Sequence, residues 1–361
     1  MADTRDANVD YEGHDYDALL VVSFGGPEGP DDVMPFLDNV LRGLNVPLAA
    51  KERIAKRYQH FGGVSPINAE TRAFIAALES ELREHGIDVP VYWGNRNWHP
   101  LLADTLEKMQ ADGIKRALAH VTSTFASYSG CRKYREDLYE AAAALEYPPV
   151  IDKLRLGFNH PGFIAATMSR AHQAFETMPA ARRAEAPLVF TAHSLPESMA
   201  ETAPYVAQLE EACRLVAEGL EHDLWALAYQ SNNASYGEPW LQPEIGEVLG
   251  RFGWSDVQDV VVMPIGFVCD HMEIVLDLDI EAQAAATEAG VNMVRAATVG
   301  THPAYVGMVR KLIEERMSSN SERVSLGNLG PSQDFCPTDC CLSGRPGDPK
   351  PVLCGVPGAE A

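Results

Sequence analysis

Positive charge is scarce in this chain: 29 lysines and arginines face 51 aspartates and glutamates, a formal net charge of −22 over 361 residues. That balance argues against nucleic acid or an anionic membrane surface as a main partner and leaves cations as what the surface attracts. Long apolar runs are missing as well. There is no stretch of eighteen apolar residues, so no transmembrane segment is expected. The start, MADTRDANVDYEGHDYD, is acidic without an apolar centre, so no signal peptide is expected and a cytoplasmic protein is. The seven cysteines are odd in number and crowd late in the chain, and the tail has no C-x-x-C pair. A disulfide framework and a zinc knuckle both fit that poorly, whereas other metal ligation fits it. A dinucleotide fingerprint is lacking too, because Gly25-Gly26-Pro27-Glu28-Gly29-Pro30 has prolines in the way.

What is present is a regular alternation. Apolar residues make up 46% of the chain, an ordinary globular share, and the length suffices for two lobes with ample core. Ala18–Phe24, Val89–Gly94, Arg116–Val121, Leu188–Thr191, Trp225–Gln230, Val260–Pro264 and Val291–Ala296 read as strands. Helical patterns lie between them, one capped by Asp31 or Asp32, one near Leu101–Asp112 and a last one over Pro303–Met317. Such alternation implies right-handed crossovers, so the expected class is α/β with two Rossmann-like lobes and parallel sheets. The composition turns to Ala, Arg and Glu around Gln173–Pro187. The expected division is an acidic flexible N-terminus (1–16), a first lobe (17–180), a second lobe (181–317) whose last helix can pack back on the first, and a Cys-rich tail (318–361). No sequence repeat links the halves. Ligands in such folds sit beyond the carboxyl ends of the strands.

One stretch organises the rest. VVVMPIGFVCDHMEIVLDLDIE (260–281) is a buried strand, a turn in which Asp270 can cap a helix, and a helix carrying Glu273, Asp277 and Glu281. Their i, i+4, i+8 spacing stacks three carboxylates on one α-helical face, each about 6 Å from the next. The face is either solvated or a track for a hard cation at the mouth of a cleft. Other loops offer further groups. Ser65 is either a helix cap or a hydroxyl for a ligand carboxylate, and His193, at a strand end, is either structural or catalytic. Arg132, Lys133 and Arg135 crowd a helix start against the macrodipole, as plain surface or as a site for a ligand carrying carboxylates. In the tail, Cys336, Cys340 and Cys341 lie close together and Cys354 follows. Three thiolates there with one from the body suit an iron–sulfur cluster, the alternative being a disordered tail with incidental thiols.

SFGGPEGPDDV (23–33), HFGGVSPIN (60–68), GNRNW (94–98), SYSGCRKYRED (127–137), TAHSLPES (191–198) and PIGFVCDHMEIVLDLDIE (264–281) together resemble the ferrochelatase family, specifically its actinobacterial-type coproporphyrin III members. The resemblance implies two Rossmann-like lobes around a porphyrin cleft, and insertion of Fe²⁺ into coproporphyrin III in heme biosynthesis. Protoporphyrin IX is the alternative substrate, and a non-catalytic tetrapyrrole carrier or iron–sulfur sensor the alternative of another class. The resemblance makes His193 and Glu273 the catalytic, iron-binding pair, Asp277 and Glu281 the line for metal or proton transit, and Ser65 and Tyr134 porphyrin contacts. Imidazole with carboxylate suits Fe²⁺, and a histidine neutral near pH 7 can accept a pyrrole proton. Porphyrin and ferrous iron are the partners implied, with transient contact to neighbouring heme-pathway enzymes. A [2Fe–2S] cluster would use Cys131, Cys336, Cys340 and Cys341, with Cys354 as the replacement for Cys340. The chain departs from many relatives at Phe24, where they carry tyrosine, so no axial phenolate is expected. It departs again in the loop Ser231–Pro239.

Overall fold

Leu19 and Val21 face one side of their strand and Ala18, Leu20 and Val22 the other, and a strand apolar on both faces needs cover on both. The computed structural model describes residues 15–232, 237–318, 321–347, 349–353 and 355–356 and supplies that cover in two layered units. The strands in chain order are β1 (Ala18–Ser23), β2 (Val91–Asn95), β3 (Arg116–Val121) and β4 (Val150–Lys153), then β5 (Leu188–His193), β6 (Trp225–Gln230), β7 (Asp259–Met263) and β8 (Asn292–Arg295). They form two four-stranded sheets, ordered β2-β1-β3-β4 and β6-β5-β7-β8, with every pairing parallel. In each sheet the first strand is flanked by the second and the third. The chain therefore leaves in opposite directions from neighbouring strands, and a crevice opens between the exits of β1 and β3, and again between those of β5 and β7.

The main core lies between the sheets and joins Leu19 and Val21 to Phe190, Val261 and Met263 through Phe74, Phe163, Tyr305 and Val309. The helix Ile67–Glu84 forms because Ile67, Thr71, Phe74, Leu78 and Leu82 fall on one stripe and are buried together. The helix Pro303–Met317 begins with His302, whose Nδ1 accepts from the Ala304 amide, and Pro303 sits where its missing N–H costs nothing. It packs on both Ile67–Glu84 and Pro161–Glu176. Two ion pairs, Arg310–Glu81 at 2.8 Å and Arg155–Glu315 at 2.7 Å, tie it down.

Some local expectations need correction. β4 was not among the expected strands; it is only four residues long and follows two prolines. The organising helix is α-helical over Met272–Ile274, a π-helix over Val275–Ala282 and α-helical again over Gln283–Glu288. Four residues slightly exceed one α-turn but fall short of one π-turn, so the carboxylates still follow one side. Asp270 does not cap that helix. Its carboxylate accepts instead from Arg295 at 2.9 Å and Thr298 at 3.0 Å, and the cap residue His271 makes no side-chain capping bond.

Candidate active site

The crevices of the two sheets face each other across one cavity of about 440 Å³. The β1 and β3 exits contribute Phe24, Gly25, Ser123, Phe125 and Ser127; the β5 and β7 exits contribute His193, Leu195, Phe267, His271 and Glu273. Gly266 lets the β7 exit pass over β5, since a Cβ there would come within 2.7 Å of the Ala192 backbone. Ser65 and Tyr134 also line the cavity. Ser65 is no helix cap: its amide donates to the Pro27 carbonyl, and the next helix starts at Ile67 without a side-chain cap.

His193 Nε2 lies 3.6 Å from a Glu273 carboxylate oxygen. That gap is too long for a hydrogen bond, but donor–metal distances of about 2.0–2.2 Å let both atoms reach one ion. On its other side the imidazole meets the Ser194 carbonyl through Nδ1. A carbonyl can only accept, so Nδ1 carries a proton, and in the neutral tautomer the Nε2 lone pair faces the cavity. The Tyr205 hydroxyl donates to the His193 carbonyl at 3.0 Å and steadies that strand end. His271, a second cavity histidine that sequence reasoning passed over, is held below the usual imidazole range by burial, against the pull of Glu273.

Asp277 and Glu281 lie outside the cavity lining, behind Glu273. Asp277 accepts from Ser231 and from Gln230 at 3.4 Å, and burial pushes its carboxyl up to about 6, with Glu273 and Glu281 adding repulsion. Glu281 is exposed, and Glu244 sits close enough to be raised by burial and then by Glu247 and Glu281. The acidic line therefore runs from the cavity through a half-buried carboxyl to the surface and ends in two residues not expected from the sequence. Glu244 and Glu247 were detectable as a pair three apart at a helix start.

A family model described as Ferrochelatase matches residues 16–317. The chain belongs to the ferrochelatase family. Membership makes it a metal chelatase. It is 50% identical over 329 residues to a protein of Rhodopirellula baltica named ferrochelatase, covering 91% of this chain and 93% of that one. It is 45% identical over 380 residues to a Streptomyces griseus protein named coproporphyrin III ferrochelatase, covering 99% of both. Among solved structures, SirB from Bacillus subtilis with Fe³⁺ shares the fold at TM-score 0.51 and 13% identity, over 84% of this chain and 99% of that one.

Beyond the family match, the tail folds back over the first half of this ferrochelatase-family chain. Arg132 and Arg135, read from sequence as surface or as carboxylate ligands, are 1% and 0% exposed. Arg132 pairs with Glu136 at 3.0 Å and donates to the carbonyls of Thr338, Cys340 and Lys350; Arg135 donates to Leu353 and to the Cys340 sulfur. Lys133 pairs with Asp137. The run is thus committed to the tail and its own helix. Further along, Arg155 and Asn159 donate to the carbonyls of Val324, Leu326 and Gly330. The tail therefore has protein anchors of its own, unlike the bare segment the Ser- and Pro-rich sequence suggests.

These anchors gather Cys131, Cys336, Cys340 and Cys341, and Cys131 itself sits in a π-helical turn over Tyr128–Arg132. Hydrogen bonds join Cys336 to Cys131 and Cys340, and Cys340 to Cys341. Those bonds hold the Cys131 and Cys340 thiols up and the Cys336 and Cys341 thiols down, with Arg135 and Lys153 favouring the latter two as thiolates. No disulfide joins them, and among the described residues no group of three or more His, Cys, Asp or Glu side chains is arranged around a metal-ion position. Cys354 lies outside the described residues. Cys213 is buried in a helix, and Cys269 lines the cavity with its thiol pushed up to about 12 by burial.

Proposed function

We propose that this enzyme inserts Fe²⁺ into coproporphyrin III, using His193 and Glu273 as its working pair. The observation that carries the reading is the 3.6 Å separation of imidazole and carboxylate on the wall of the shared cavity. Fe²⁺ sheds water as these two side chains take it. A free-base porphyrin must lose two pyrrole protons for the metal to enter, and the unprotonated Nε2 of His193 receives a proton at that wall. Asp277, with its raised pKa, is suited to pass charge between Glu273 and exposed Glu281, either as metal inward or as protons outward. Ser65 and Tyr134 contact the porphyrin on the opposite side. Coproporphyrin is favoured because the Streptomyces griseus relative, matched end to end, is named for it.

Anaerobic turnover of Fe²⁺ with coproporphyrin III and protoporphyrin IX side by side tests this. A kcat/KM at least ten-fold higher for coproporphyrin is expected. Preference for protoporphyrin overturns the substrate, and binding without metallation makes the protein a carrier.

The same reading includes a [2Fe–2S] cluster on Cys131, Cys336, Cys340 and Cys341. Such a cluster takes two thiolates on each iron, so its ligands need not surround one point. A cluster of that kind, when bound, supplies a redox-active link between tail and body; metallation moves no electrons, so the expected role is structural or sensory. The chain's own part is to collect the thiols and to set Arg135 and Lys153 beside the thiolate charge. Thiols held this close without a disulfide suit a reducing compartment such as the cytoplasm. Anaerobically purified protein should be brown, Cys131→Ser should lose the colour and Cys354→Ser should keep it. A colourless wild type from iron-replete cells overturns the cluster.

A further inference from the structure

Among the residues lining the cavity, only Arg96 and Arg345 carry a permanent positive charge. Arg96 is committed: it pairs with Asp137 at 2.5 Å and lies over the rings of Tyr134 and Phe24, 4.6 and 5.5 Å from their centroids. Arg345 is not. It is exposed, and no hydrogen bond or ion pair engages its guanidinium among the described residues. It belongs to the tail rather than to either sheet unit, so its place at the cavity depends on how the tail is threaded.

That threading is specific. Gly344, at φ +71°, passes so close to the Glu197–Ala200 helix that a Cβ would lie 2.4 Å from the Ser198 carbonyl oxygen. Thr202 donates to the Leu342 carbonyl at 2.6 Å. A few residues earlier, Cys340 is fixed by Arg132 at its carbonyl and by Arg135 at its sulfur. The segment thus reaches the cavity at the lip formed by the β5 exit, where Pro196 and Met199 line it. On that lip Trp240, bridged to Pro196, has a buried indole N–H without a partner among the described residues.

We propose that Arg345, delivered by the tail, is a specificity residue that binds a carboxylate on the rim of the tetrapyrrole. A chain of net charge −22 repels a polyanion, so a free guanidinium at the lip selects substrates that carry acid groups. This rests on the porphyrin reading above and deepens it. It also gives the arginine-anchored tail a part in substrate binding, distinct from the proposed metal-binding wall.

The test measures porphyrin fluorescence quenching and steady-state turnover with the full chain. Arg345→Gln should raise Kd and KM for coproporphyrin III about five- to ten-fold with kcat within two-fold, and added salt should shrink the difference. Binding of the coproporphyrin tetramethyl ester, which has no acid groups, should not change. Gly344→Val, which cannot hold the tail in this path, should reproduce the KM increase with Arg345 still present. Unchanged affinity for the tetra-acid in Arg345→Gln overturns the proposal, as does an equal loss for the ester. If the wild type metallates coproporphyrin normally while either result appears, only the role of Arg345 falls; if the wild type does not bind coproporphyrin, the functional reading falls and takes this proposal with it.

Discussion

The two halves of the molecule share a strand order and differ in what their loops carry. The β1 and β3 exits bring aromatic rings, glycine and hydroxyls to the cavity, none of them ionised near neutral pH. The β5 and β7 exits bring two histidines and a glutamate. The same parallel scaffold thus makes one wall of rings and hydroxyls and one of titratable groups. Scaffold and chemistry are separable, because the switch point fixes where loops gather and says nothing of what they contain. With the first wall holding the ligand and the second moving protons and metal, as proposed above, changes on the two walls should separate in kinetics.

The largest effect should come from the titratable wall. His193→Ala and Glu273→Gln should each lower kcat for iron insertion by about 10²–10⁴-fold while porphyrin affinity stays near wild type. Turnover close to wild type in either variant would erase the contrast. Asp277→Asn should act more moderately, raising KM for Fe²⁺ several-fold and KM for porphyrin little. Its stability effect has a definite sign. The folded carboxyl titrates near 6 and the unfolded one near its ordinary value, so between about pH 4 and 6 the folded state holds a proton that the unfolded state has lost. Stability therefore falls as pH rises through that window, and asparagine should restore about 1–3 kcal/mol above pH 6 and nothing below pH 4. Denaturant titrations at pH 4 and pH 7.5 read this out; a gain that is the same at both would rule out the raised carboxyl. The smallest effect belongs to the holding wall. Ser65→Ala should raise KM for porphyrin about two- to five-fold, the size of one hydrogen bond, with kcat unchanged. A fall in kcat instead would move Ser65 to the chemical side.

Much of this arrangement was legible because parallel sheets write themselves plainly. Strands such as Val260–Met263 are apolar at every position and the exits after them are where ligands bind, so the strands pointed to the right loops, while the resemblance to the family singled out the residues in them. His193, Glu273, Ser65 and Tyr134 do meet around one cavity, and the chosen thiols meet beside it. The π-turn was not legible, since an i→i+5 ladder leaves no periodic signature over eight residues. Nor was the fate of Arg132 and Arg135. Clustered cations read as surface until the carbonyls that bury them arrive from some two hundred residues away. Arg345 stayed hidden for the same reason: its place at the cavity is set by threading of the tail, not by local pattern.

The helix Pro303–Met317 has a consequence for how a flat macrocycle can get in. It is bolted to a first-half helix by Arg310–Glu81 and braced by Arg155–Glu315, with Tyr305 and Val309 wedged in the core common to both sheets. Swinging the halves apart would tear apolar side chains out of that shared core, at about 25 cal/mol for every Å² wetted. The back of the molecule therefore behaves as a stiff spine rather than a hinge. Entry and exit of a rigid, plate-shaped guest fall to the loops at the open side, where the tail segment carrying Arg345 lies along the lip.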